Sequence, residues 1–171
     1  VNVGGNANRS SCSNSLDSSR YLLSAREKLA SFFNYSKSSN VIFTNNITTA
    51  LNILIKGTLH SCDHVISSTM EHNSILRPLT DCSKAGIETT LVQADSFGFI
   101  NPADIENNIK SNTKLIIISH ASNVTGSIQN IKLISSIAKK HNIFFVVDTA
   151  QSAGVIDISM NDIQADAIAF T

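Results

Sequence analysis

The chain has 171 residues, with Lys+Arg and Asp+Glu at 13 each, a formal net charge of +0 and only 15% charged residues. That balance leaves no electrostatic footprint for nucleic acid or an anionic membrane surface, and no apolar run approaches the ~20 residues needed to cross a bilayer. Hydrophobic residues make up 42%, ample for the core of one domain. Cys12, Cys62 and Cys82 are odd in number, widely spaced and outside any C-x-x-C pair. They point to a reduced, cytoplasmic protein rather than to a disulfide framework or a zinc site.

Leu22, Ala25, Leu29 and Phe33 recur at helical spacing, predicting an amphipathic helix over about Leu16 to Phe33. Val41-Ile42-Phe43 reads as a short strand, followed by Thr44-Asn45-Asn46 and a helix marked by Ile47, Leu51, Leu54, Ile55 and Leu59. Val65-Ile66 is a strand. His72 to Ala85 is a helix that Pro78 breaks or precedes and that Gly86 ends. Thr89 to Val92 returns as a strand, and Pro102 opens a short helix at its first turn. Leu115 to Ile118 is a wholly apolar strand. Ile128, Ile131, Ile134, Ile137 and Ala138 mark a further helix, Ile143 to Val147 a buried strand, and Ala167 to Phe170 the start of another. Continuously apolar strands separated by amphipathic helices define an α/β fold, a three-layer, mostly parallel sheet with helices on both faces. The chain stops in or just after its last strand, so it is expected to be an incomplete domain.

Four loops that follow strands carry candidate chemistry, at the edge where open α/β sheets place ligands. Asp148 leaves the run Ile143 to Val147, and Gln151 follows three residues later. A carboxylate there is costly to desolvate unless a cation, a metal or a heterocycle's N–H pairs with it. Thr44 to Thr49 joins a strand to a helix whose first-turn N–H groups, with the Thr48 hydroxyl, can hold a phosphate. His72, in Glu71-His72-Asn73-Ser74, can stack on a flat ring or shuttle protons. Asn123, in Ser119 to Gly126, can bind a carboxylate or phenolate oxygen, and Gly126 lets that loop fold back close to a ligand. Singly, each is also an ordinary capped turn or polar loop. Together they fit a planar, phosphorylated, protonatable heterocycle, and pyridoxal phosphate satisfies all four.

On these residues, together with Phe43 through Asn52 and Ala169-Phe170-Thr171, the chain resembles the class V aminotransferases, and among them the cysteine desulfurases. The resemblance runs from about Asn6 to Thr171. It implies the large cofactor-binding domain of fold type I pyridoxal phosphate enzymes, with 1–171 a partial copy lacking the N-terminal segment and the C-terminal small domain. It gives Asp148 the pyridine nitrogen, Gln151 the phenolic oxygen, His72 the ring face, Asn123 the phenolic oxygen or substrate carboxylate, and Thr48 and Thr171 the phosphate. His72 and Asp148 are the catalytic candidates, and no metal is implied. The Schiff-base lysine of the family falls beyond Thr171, and Cys12, Cys62 and Cys82 do not align with a sulfur-accepting cysteine.

The implied activity is conversion of L-cysteine to L-alanine with sulfur passed to a persulfide, in a cytoplasmic homodimer that can hand sulfur to an acceptor protein. The same residues serve an aminotransferase or a selenocysteine lyase, and a truncated, non-catalytic homologue is the alternative from another class. A nucleotide-binding α/β domain fits poorly, since no Gly-rich phosphate loop follows any strand.

Overall fold

Two runs too apolar to face water on either side, Leu115–Ile118 and Phe144–Val147, pair within a five-stranded sheet in the computed structural model, which describes residue 7 and residues 13–171. Cys12 lies outside the described residues. The strands are β1 (His64–Ser68), β2 (Glu88–Val92), β3 (Thr113–Ser119), β4 (Phe144–Asp148) and β5 (Ala167–Ala169). They lie in the order β2-β1-β3-β4-β5, and every pairing is parallel. The helices are α1 (Ser13–Phe32), α2 (Ile47–Thr58), α3 (Asn73–Lys84), α4 (Pro102–Asn107), α5 (Ile131–Lys140) and the short α6 (Met160–Ile163).

The chain divides into two compact units: one runs to Phe43 and includes Ser159–Asn161, and the other comprises Thr44–Ile158 and Asp162–Thr171. The second unit contains the sheet. On one face, Leu51 and Ile55 of α2 and Ile75, Leu79 and Cys82 of α3 pack on Val65, Leu115, Ile117 and Val146. Strand alternation turns Ile66, Ile116, Ile118, Phe145 and Val147 to the other face, where they are equally buried. There α5 lies against β4 and α4, burying Ile131, Ile134 and Ala138. At the amino edge His64 is fully buried, its Nδ1 2.8 Å from Thr113 Oγ1 and its Nε2 2.8 Å from Thr90 Oγ1. One imidazole thereby ties β2, β1 and β3 together.

Four expectations need correction. Val41-Ile42-Phe43 is extended but is not a strand, with Ile42 78% exposed. β-branching favours extension, yet a ladder needs a neighbour. Pro78 neither breaks nor delays α3, which starts from His72 and runs through it. Ile75, Pro78, Leu79 and Cys82 form the buried face, so packing overrides the missing N–H. Ile128 precedes α5 and is exposed, paired only in an isolated bridge with Ala121. In the first unit α1 forms as expected, but its apolar stripe is only partly a core face: Leu22 is exposed, Ala25 and Leu29 are half-buried, and Phe33, just past the helix, is buried, as are Ser15 and Ala30. A 3-10 turn at Ser38–Asn40 follows α1 in that unit.

A clamp joins the loops after β2 and β3. Ser127 Oγ and Gln129 Nε2 donate to the Gly98 carbonyl at 2.9 and 2.7 Å, and Ile100 N–H donates to Gln129 Oε1 at 2.9 Å. Gly98 has φ +84°, and a Cβ there would stand 2.8 Å from Thr125 Oγ1 and 2.9 Å from Ser127 Oγ. Gly98→Ala is therefore expected to cost about 1–3 kcal/mol. Gly57→Ala, in open space near the end of α2, is expected to gain a few tenths to about 1 kcal/mol. Chemical denaturation of the two variants checks both signs.

Candidate functional site

Where β2 lies on one side of β1 and β3 on the other, the connections part and leave a crevice beyond the carboxyl ends of the strands. A cavity of about 220 Å³ opens there. Thr48, His72, Asn123, Asp148, Gln151 and Thr171 all line it, so residues from five separate segments meet at one place.

Thr48 enters from the first turn of α2. Asn46 caps that helix, its side chain accepting the Thr49 N–H at 2.8 Å and its carbonyl the Ala50 N–H at 3.2 Å. The Ile47 and Thr48 N–H groups are left at the positive end of a 12-residue helix. Capping by Asn46 therefore leaves these N–H groups free to meet an anion.

His72 caps α3. Its Nδ1 accepts the Ser74 N–H at 3.1 Å and lies 2.9 Å from Ser74 Oγ. An accepting Nδ1 leaves the proton of the neutral ring on Nε2.

Asp148 ends β4 and is 5% exposed. Its Oδ1 accepts the Ala150 N–H at 2.9 Å. Burial pushes its carboxyl up from the ordinary range, against smaller opposing effects of that hydrogen bond and of His72. Gln151 stands on the following turn and Thr171 just beyond β5, both exposed at the cavity.

Asn123 is carried by the loop after β3. That loop is held by Ser122, whose Oγ accepts the Val124 and Thr125 N–H groups and whose carbonyl accepts the Gly126 N–H. Gly126 has φ +73° with open space where a Cβ would be. That backbone conformation is what the turn at this position uses.

Glu71 and Ser119 were present in the sequence motifs but given no role there. Glu71 is 7% exposed, and burial pushes its carboxyl up to about 7, with hydrogen bonds from Ser119 and Ser68 opposing and the charge of Asp148 adding. Ser119 lines the cavity with the six expected residues. The signal available for Glu71 was the one that singled out Asp148, an acid shortly after a buried strand. Among the described residues, no group of acids, histidines or cysteines is arranged to hold a metal ion, and no helix is long and apolar enough to cross a membrane.

A parallel α/β sheet with an acid, a ring and two amides around one carboxyl-edge cavity is the setting in which similarity becomes informative. The family model described as "Aminotransferase class-V" matches residues 1–171, and the chain belongs to that family. A probable cysteine desulfurase of Methanothermobacter thermautotrophicus is 35% identical over 166 residues, covering 96% of this chain and 41% of the relative. The apo structure of a cysteine desulfurase from Thermococcus onnurineus superposes with a TM-score of 0.91 at 28% identity, over 100% of this chain and 43% of that one. A structure described as SspA in complex with cysteine gives 0.90 at 27% identity, over 95% and 48%. The chain thus spans less than half the length of the proteins it matches.

The raised Glu71 carboxyl makes stability depend on pH. A group near 4.5 when unfolded and about 7 when folded keeps its proton longer in the native state, so stability falls as pH rises through that interval and levels off above it. Glu71→Gln is expected to remove this slope, on the order of 3 kcal/mol across the whole interval. Urea unfolding of both proteins at about pH 5 and about pH 8 measures the difference.

Proposed function

We propose that this chain is the cofactor-binding portion of a cysteine desulfurase that uses pyridoxal phosphate, taking L-cysteine to L-alanine and passing the sulfur to a cysteine elsewhere in the protein as a persulfide. The observation that carries the reading is the meeting of Thr48, His72, Asn123, Asp148, Gln151 and Thr171 on one cavity with a buried carboxylate in its wall. Cysteine desulfurases among the relatives, and a structural neighbour holding cysteine, support the reaction and the substrate.

The donor set fits the cofactor. A desolvated Asp148 carboxylate favours a cationic N–H beside it, the partner that a protonated pyridine nitrogen provides. When bound, pyridoxal phosphate supplies an electron-accepting ring that stabilises negative charge on an amino acid's α-carbon. Asp148 keeps the ring nitrogen protonated, which makes that withdrawal effective. The Ile47 and Thr48 N–H groups and the Thr48 and Thr171 hydroxyls hold the phosphate. Asn123 and Gln151 donate amide hydrogens to the phenolic oxygen or the substrate carboxylate. His72 gives its ring face to the cofactor. With Nδ1 committed to Ser74, Nε2 is the atom that can move a proton.

Cys62 is exposed in the turn before β1 and Cys82 is buried in α3; neither lines the cavity. This supports a sulfur acceptor outside the described residues. The same reading makes the protein a cytoplasmic homodimer, able to pass sulfur to an acceptor protein.

Asp148→Ala in the full-length protein is expected to abolish cysteine desulfuration while leaving the far-ultraviolet circular dichroism unchanged. Sulfide and alanine release provide the assay. Turnover close to that of the parent protein would remove Asp148 from the reaction, and the reading with it.

A further inference from the structure

Glu71 cross-ties the two strands that part at the crevice. Ser68, the last residue of β1, donates its hydroxyl to Glu71 Oε1 at 2.5 Å. Ser119, the last residue of β3, donates its N–H and its hydroxyl to Glu71 Oε2 at 2.9 and 2.6 Å. Ser119 is also the register partner of Asp148 across the β3–β4 pairing, and both line the cavity. An acid the proposed mechanism does not use is therefore tied to the residue that stands opposite, in the neighbouring strand, the acid on which that mechanism turns.

A hydroxyl has one hydrogen to give. With Glu71 ionised, the Ser119 hydrogen is spent on Oε2 and its lone pairs are left for the cavity. With Glu71 protonated, the carboxyl can donate to Ser119 Oγ, and the Ser119 hydrogen turns toward the cavity. The groups facing this pair are few among the described residues. Asp148 from β4 is the charge that acts on Glu71, and His72 from the same turn acts on Asp148. His120, next along from β3, is buried with its Nδ1 2.9 Å from Ser152 Oγ.

We propose that Glu71 is a positioning residue that balances protons for this site: it gives up a proton when a cationic ring nitrogen settles against Asp148, and takes one back when the cation leaves. In the forward step the Glu71 O–H bond breaks, its electron pair stays on the carboxylate, and the proton leaves through the open cavity. The Ser119 hydroxyl then turns back to Oε2. Nothing is oxidised or reduced. The identity of the cation rests on the reading given under Proposed function, whereas the coupling between the two acids does not.

The test begins without ligand. The Glu71 carboxyl carbon, followed by NMR against pH, is expected to titrate with a midpoint of about 7, and the Ser119 amide is expected to report the same midpoint. Asp148→Asn, which removes the neighbouring charge as a bound cation would, is expected to lower it. Glu71→Gln should abolish the Ser119 transition while keeping the tie, since its oxygen can accept from Ser119 and its amide can donate to Ser68.

Pyridoxal phosphate is then titrated by calorimetry in buffers of different ionisation enthalpy. The parent protein is expected to release more protons than Glu71→Gln, and its affinity to rise with pH across the same interval, relative to the variant, by up to about tenfold per pH unit. A Glu71 carboxyl already ionised a full unit below that midpoint overturns the proposal, as does a midpoint unmoved by Asp148→Asn. Equal proton release from parent and variant overturns it too. Binding to neither protein tells against the cofactor reading instead, and the ligand-free titrations still decide the coupling.

Discussion

The register of β3 against β4 sets the chemistry at the carboxyl edge of the sheet. Because Ile117 pairs with Val146 and Ile118 with Val147, Ser119 falls opposite Asp148. A slip of one residue would turn every side chain of β3 to the other face and take Ser119 away from its place beside Asp148. The apolar core thereby fixes polar geometry: two strands locked by Ile and Val deliver a hydroxyl and a carboxylate to the same wall. β1 does likewise, ending at Ser68 so that the turn beyond it carries Glu71 inward and His72 to the cavity wall.

The carboxyl edge accordingly concentrates groups that are expensive to bury, while the amino edge settles its buried histidine completely. His64 has both ring nitrogens engaged by threonine hydroxyls, and burial holds it below the usual histidine range. Glu71 and Asp148 are held above the usual carboxylate range by the same desolvation. A fold gains little by leaving two acids in that condition unless something arrives to use them. The contrast between the two edges is the physical reason for placing function at one and not the other.

Much of this was legible in the chain. The continuously apolar runs Leu115–Ile118 and Ile143–Val147 required a sheet covered on both faces, and the loops after the strands were the places to look for chemistry. Six residues drawn from those loops meet at one cavity, although nothing periodic connects Thr48 to Thr171. What could not be read depended on contacts between distant segments. Whether Val41-Ile42-Phe43 pairs depends on a neighbour, and whether Pro78 stops a helix depends on what its ring packs against. Glu71 carries the same signal as Asp148, an acid shortly after a buried strand, but its role depends on partners that sequence does not bring together. Ser68 and Ser119 are ordinary serines until β1 and β3 bring them together.

His72 does two jobs with one ring, since its Nδ1 closes the first turn of α3 while the rest of the imidazole borders the cavity. The onset of a helix and the posture of a ligand-facing ring are then a single equilibrium. Local fraying at Ser74 would loosen the ring, and a ligand that presses the ring flat would tighten the turn and slow exchange of its amide hydrogens. Phenylalanine or tryptophan could offer a comparable face, but neither can accept that N–H. The choice of histidine here is as much about rigidity as about protons.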